Sequence, residues 1–299
     1  MATILLIGSK GWIGSKVYNL LIERNDVEKI FISSIRADDI NAIQTELCEL
    51  NPSHVISCIG RTHGNIDGRE IPTIDYLEYP GKLQENIRDN LFAPVILAKC
   101  CAERGIHLTY LGTGCIFEYD AEHAVADAQH GFKESDLPNF FGSGYSIVKG
   151  FTDQLMGLYN TSVLNVRIRM PITSEVNPRD FITKIVNYDR ICSMANSMSV
   201  LDELLPIMVD MVLHKRTGTI NLTNPGTISH TEILQMYKTI VDPTKCWKLM
   251  TYTEQTQLLK SKRSNNALDT SQLVAWYPNV SNIHVAVRRA LEKRSLSKQ

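Results

Sequence analysis

The chain has 299 residues, 43 % hydrophobic and 21 % charged, with 31 Lys and Arg against 32 Asp and Glu for a net charge of −1. That is the composition of a folded globular protein, which excludes a disordered or fibrous chain. With no basic excess to neutralise a phosphate backbone, nucleic acid is not an expected partner.

The first apolar run, Thr3 to Ile7, has no basic stretch before it and ends at Gly8. It reads as a strand rather than a signal peptide. Trp12 to Arg24 carries Ile13, Val17, Leu20 and Leu21 at helical spacing. Lys29–Ser33 reads as a strand, Ile40–Leu50 as a helix and His54–Ile59 as a third strand. Asn86–Glu103 reads as one helix, His107–Leu111 as a fourth strand, Tyr145–Leu158 as a helix and Leu164–Arg169 as a further strand. This alternation predicts an α/β fold: a Rossmann-type, doubly wound parallel sheet. Residues 1–165 are expected to form the dinucleotide-binding domain. Residues 166–299 are expected to form mainly a smaller C-terminal substrate lobe, with helices at Thr231–Val241 and Ser281–Lys293 and some segments returning to the first domain. The apolar run Leu201 to Leu213 is interrupted by Asp202, Glu203 and Asp210, and nothing reaches the roughly 18 residues of a membrane helix. Seven cysteines without a CxxC pair argue against disulfides or zinc, so a reduced, cytoplasmic, metal-free protein is expected.

Gly8-Ser-Lys-Gly11-Trp-Ile-Gly14 lies between the first strand and the first helix. Glycines at this spacing permit a tight turn, backbone approach to a pyrophosphate and close helix–strand packing. An acid normally stands roughly 20 residues further on for an NAD ribose. Here the second strand ends without one, Arg36 follows, and Lys10 sits in the loop. Both suit a 2′-phosphate, which favours NADP(H), while Asp38 and Asp39 keep NAD open. Cofactor contacts are expected from Gly8, Lys10, Gly11, Trp12, Ile13, Gly14, Arg36 and Gly60. Tyr145 and Lys149 are four apart, on one helix face, where a cation stabilises a phenolate.

With Thr113 after the fourth strand, these motifs resemble the extended short-chain dehydrogenase/reductases over nearly the whole chain. Gly11-Trp-Ile-Gly14, Thr113-Gly-Cys-Ile-Phe-Glu-Tyr-Asp120, Gly131-Phe-Lys-Glu134, Arg169-Met-Pro-Ile172, Asn177-Pro-Arg-Asp-Phe-Ile-Thr-Lys184, Leu201-Asp-Glu-Leu-Leu-Pro206, Thr223-Asn-Pro-Gly226 and Arg263-Ser-Asn-Asn266 narrow the match. They resemble the nucleotide-sugar branch: the dTDP-4-keto-rhamnose reductases and, more closely, the bifunctional UDP-4-keto-6-deoxyglucose 3,5-epimerase/4-reductases. The resemblance implies Tyr145 as proton donor, Lys149 as its support and ribose ligand, and Thr113 as holder of the substrate oxygen. It implies Cys115 as epimerisation base, Lys184 as the opposing acid, and Asn90, Asn177, Arg179 and Arg263 as substrate contacts. It also implies a homodimer and a separate 4,6-dehydratase upstream, since only one glycine loop is present. A plain 4-keto reductase, or a non-catalytic nucleotide-binding subunit, are the alternatives; Thr113, Tyr145 and Lys149 together argue against the latter.

Overall fold

The computed structural model describes residues 1–124 and 130–297. The chain begins β1 (Ala2–Ile7), α1 (Trp12–Ile22), β2 (Val27–Ile32), α2 (Ile40–Leu50) and β3 (His54–Ser57). A hairpin of β4 (Gly64–Ile66) and β5 (Arg69–Ile71) and a 3₁₀ turn, Ile74–Glu78, precede α3 (Lys82–Ile87). A π turn, Arg88–Phe92, leads into α4 (Ala93–Ala102), then β6 (His107–Thr113), α5 (Gly144–Gly157) and β7 (Val163–Ile168). The rest comprises α6 (Phe181–Val186), β8 (Arg190–Ile191), α7 (Leu201–Leu213), β9 (Gly218–Asn221), α8 (His230–Ile240), β10 (Lys248–Leu249), α9 (Tyr252–Leu258), α10 (Ser271–Trp276) and α11 (Ile283–Leu296).

The main sheet has the order β2-β1-β3-β6-β7-β9, and β1 pairs in parallel with both β2 and β3. The order reverses between β1 and β3, so the ligand crevice of such a sheet opens beyond Ile7 and Ser57. Interior strands β3 and β7 are buried throughout, whereas edge strand β2 is half-exposed. Leu5, Val55, Leu108 and Tyr110 pack with Ile43, Leu47, Leu97 and Met156 of the covering helices.

The chain divides into two compact units. The first is Met1–Ile116, Phe141–Arg167 and Leu205–Ile220; the second is Phe117–Phe140, Ile168–Leu204 and Asn221–Gln299. The second unit has its own core, in which Ile182 and Ile185 of α6 pack with Ile233 and Leu234 of α8 and Val287 and Leu291 of α11. No helix among the described residues is long and apolar enough to cross a membrane.

The helix expected over Asn86–Glu103 runs without a break from Lys82 to Ala102, but it widens into the π turn at Arg88–Phe92. Pro94 has no N–H to offer the carbonyl of Asn90 four residues back, and its ring crowds that carbonyl. The Thr152 hydroxyl donates to it instead, at 2.6 Å. The β4–β5 hairpin was also absent from the sequence reading. It turns on Asp67 (φ 49°) and Gly68 (φ 80°), both in the left-handed region that a two-residue type I′ turn demands.

Candidate active site

The glycine loop is shaped by sterics. Gly8 has φ +86°, and a Cβ there would lie 3.1 Å from the Cys58 carbonyl carbon. A Cβ on Gly14 would lie 2.1 Å from the Gly8 oxygen, so no side chain fits. Gly11 N-caps α1, and its amide donates to the Gly8 carbonyl at 3.0 Å. The first-turn amides of α1 follow directly on this turn, and a helix start of that kind suits an anion. Lys10 is exposed and Ile13 half-buried, and the buried Trp12 Nε1 has no hydrogen-bond partner.

Arg36 stands beyond β2, but in company. It pairs with Asp38 at 2.8 Å and Asp89 at 3.2 Å, and Asp89 also binds Arg61 and Arg88, each at 2.8 Å. Asp39 caps α2 by accepting from the Ala42 amide at 3.0 Å. The sequence reading found Arg36 but missed Arg61, Arg88 and Asp89, which converge only when β2, β3 and the π turn are placed side by side.

Asn90, expected at the substrate, lies inside the fold. Asn90 is fully buried, and its amide is committed within the fold. Oδ1 accepts from the Arg61 amide, while Nδ2 donates to the Arg61 carbonyl and to Asn86 Oδ1, each at 2.8 Å. Asn90 therefore clamps the loop after β3; a Cβ on Gly60 would lie 3.4 Å from its Oδ1.

Thr113, Cys115, Tyr145 and Lys149 all belong to the first unit. Thr113 ends β6, and its Oγ1 accepts from the Cys115 amide at 3.0 Å. Ser143 caps α5, and Ser146 Oγ donates to the Cys115 carbonyl at 2.7 Å. These bonds tie the cysteine loop to the helix bearing Tyr145. Burial pushes the Tyr145 phenol well above its ordinary range, Cys115 adds to the rise, and a hydrogen bond with Thr113 opposes it. Burial likewise pulls Lys149 down to about 8, opposed by Asp153 and Cys115. A buried tyrosine resists ionisation, which suits a group that holds its proton until it donates it. Behind them, Asp153 makes a two-pronged ion pair with Arg167 at 2.9 and 2.6 Å and accepts from Asn165 at 2.7 Å. The insert 64–78 walls the site: Tyr76 and Leu77 pack on Tyr145, with Cys115 at their edge.

Lys184, Arg179, Asn177 and Arg263 belong to the second unit. Buried Asp180 caps α6 through the Thr183 amide at 2.6 Å and pairs with buried Arg294 at 2.9 Å, fixing the turn that carries Lys184. Burial lowers the Lys184 ammonium below its ordinary range, helped by the charges of Arg179 and Arg263 and opposed by Asp180. The Asn177 side chain accepts from the Arg179 amide at 2.9 Å. Arg169, 1 % exposed, donates to the carbonyls of Ser264 and Asn266 at 2.9 and 2.8 Å, so it sets the course of the strand of chain beginning at Arg263. Nothing in the sequence reading pointed to Arg169 as an anchor.

Comparison with known proteins decides the family. The crystal structure of a UDP-rhamnose synthase from Acanthamoeba polyphaga mimivirus matches with a TM-score of 0.92 and 51 % identity, covering 98 % of this chain and all of that one. A bifunctional dTDP-4-dehydrorhamnose 3,5-epimerase/reductase of Arabidopsis thaliana is 41 % identical over 280 residues, 93 % of this chain and 89 % of that protein. The chain belongs to the nucleotide-sugar epimerase/reductases of the extended short-chain dehydrogenase/reductase family. A trifunctional Arabidopsis thaliana member of this group, with a 4,6-dehydratase activity as well, is 39 % identical over 93 % of this chain but only 40 % of its own length. No family model matches the chain. As in the sequence reading, the epimerase/reductase chemistry of the family is set on a Rossmann-like sheet.

Proposed function

We propose that the protein converts UDP-4-keto-6-deoxy-D-glucose to UDP-L-rhamnose by epimerisation at C3 and C5 and NADPH-dependent reduction at C4. The observation that carries this reading is the convergence of Thr113, Cys115 and Tyr145 over buried Lys149, on the same unit as the glycine loop. NADPH supplies the hydride when bound. The glycine loop, whose turn and close helix contact leave no room for side chains at Gly8 or Gly14, fits its pyrophosphate. Lys10, Trp12, Ile13 and Gly60 line the same site in this reading, and the cluster centred on Arg36 favours the 2′-phosphate over a bare ribose.

Thr113 and Tyr145 polarise the C4 ketone. Both C3 and C5 lie α to it, so their protons become acidic only then. The Cys115 thiolate is the base. Lys184, already inclined to release its proton, returns one to the opposite face of the ring. Once the ring is inverted, Tyr145 protonates the C4 oxygen as hydride arrives. Arg179, Arg263 and Asn177 are assigned to the nucleoside diphosphate, with guanidinium forks matched to phosphate oxygens. A separate 4,6-dehydratase supplies the keto sugar in a shared cytoplasm. Exposed Leu83, Ile87 and Phe92 beside α3 and α4, with Phe151 on α5, favour a homodimer through these helices.

The test is to supply the 4-keto sugar and NADPH and identify the product by NMR. UDP-L-rhamnose is expected. A 6-deoxy sugar reduced at C4 but unaltered at C3 and C5 would leave a plain reductase.

A further inference from the structure

Lys149 is 4 % exposed, and its ammonium donates a hydrogen bond to the Tyr110 hydroxyl. Tyr110 is 1 % exposed, and among the described residues Lys149 is the hydrogen-bond partner that its hydroxyl finds. The Tyr110 ring is locked in the apolar core with Val55, Leu97, Leu108 and Met156. Apolar packing on β6 thus fixes the hydroxyl, and the hydroxyl fixes the lysine nitrogen. The titratable groups that act on that nitrogen are Asp153 on α5 and Cys115 beyond β6, with Arg167 on β7 behind Asp153; Tyr145 stands four residues before Lys149 on the same helix. The Asp153 carboxylate is already held by Arg167 and Asn165, and it acts on the lysine only through space.

We propose that Tyr110 is a positioning residue for Lys149, whose hydroxyl accepts from the ammonium and so holds it, charged, beside the proton donor Tyr145. A desolvated ammonium is unfavourable, and an acceptor placed against it favours the charged form. The kinetic consequence rests on the catalytic role given to Lys149 above; the structural claim does not. Tyr110 lies 39 residues before Lys149, so no local motif links them.

Tyr110→Phe removes one oxygen and keeps the ring. The enzyme, labelled with ¹³C at lysine Cε, is titrated by NMR with Lys149 assigned from a Lys149→Met sample. In the unsubstituted protein the Lys149 signal should inflect near 8. In Tyr110→Phe it should inflect about one pH unit lower. The alkaline limb of kcat should move to lower pH by the same amount. A Lys149 signal that titrates identically in both proteins overturns the inference, whether or not the sugar is turned over. A lower Tm with an unmoved lysine signal would make Tyr110 packing alone and overturn it equally. Failure of the unsubstituted enzyme to act on the keto sugar would instead strike the proposed function and leave the lysine titration to decide this point.

Discussion

The Glu78 carboxylate accepts a 2.7 Å hydrogen bond from the amide of Gly144, the residue immediately before Tyr145. Glu78 closes the 3₁₀ turn of the insert, and Gly144 opens α5. An acidic side chain at a helix start satisfies an orphan amide and complements the helix dipole. The insert is therefore fastened to the helix that carries Tyr145.

Glu78→Ala should destabilise the fold by about 1 kcal/mol, the usual loss for a helix-terminal acceptor. It should also lower kcat more than it raises KM, because Tyr145 loses its anchor. Glu78→Gln, which keeps an acceptor without the charge, should lie between. Denaturant unfolding and steady-state kinetics measure both. A kcat unchanged in the Ala variant would mean that the apolar contacts of Tyr76 and Leu77 suffice.

Epimerisation and reduction should separate by mutation. Cys115→Ala and Lys184→Ala should lose exchange of the C3 and C5 protons with solvent deuterium, by ~10²-fold or more if acid–base catalysis is what is removed. Both should still reduce a 4-keto sugar supplied already epimerised. Deuterium exchange at the unsubstituted rate in Cys115→Ala would reduce that thiol to a packing role.

Cofactor choice is read from Arg36. Arg36→Ala should weaken NADPH by ~10-fold and leave NADH nearly unchanged, as expected for one lost charge-assisted phosphate contact. Because Asp89 also holds Arg61 and Arg88, Asp89→Ala should remove one carboxylate from three guanidiniums, leaving Arg36 paired with Asp38, and raise the salt dependence of NADPH binding. Titration of NADPH fluorescence at two ionic strengths measures both. Equal losses for NADPH and NADH in Arg36→Ala would place the 2′-phosphate elsewhere.

Loss of stability in acid has a specific source in His54. It is buried at the start of β3 with Nε2 unpartnered, and burial, then His107 and Lys215, pulls it down to about 4. The unfolded chain takes up this proton near 6.5 and the folded protein does not until about 4. The stabilisation is complete above 6.5 and is lost as pH falls towards 4, by about 3 kcal/mol in all. His54→Gln should flatten that slope. Urea unfolding between pH 4.5 and 7 reads it, and equal slopes in the two proteins would assign the acid loss to other groups.

The sheet, the glycine loop and the Tyr145–Lys149 spacing were legible in the sequence because each is local: a period, a turn or one helix face. The π turn was not, although its cause is visible, since Pro94 acts on a carbonyl four residues earlier. Asp67-Gly68 carried a hairpin signal, but strands of three residues show no alternation against which to see it. Tyr110 reads as a core aromatic, which its ring is; only the fold reveals that its oxygen reaches the lysine. Asn90 shows the opposite failure, a correctly placed polar residue whose hydrogen-bonding capacity the neighbouring loop had already taken.

Neither compact unit is a continuous stretch of chain. The backbone leaves the first after Ile116, returns at Phe141, leaves after Arg167, returns at Leu205 and departs after Ile220. A gene fragment ending at Arg167 would therefore encode the glycine loop and Tyr145 but omit β9, baring the flank of β7, and omit Arg216, whose carbonyl meets His107 Nε2 at 2.6 Å. An uncovered strand flank recruits other chains. Such a fragment would emerge as aggregate, and a minimal cofactor domain would have to be spliced from three separated segments.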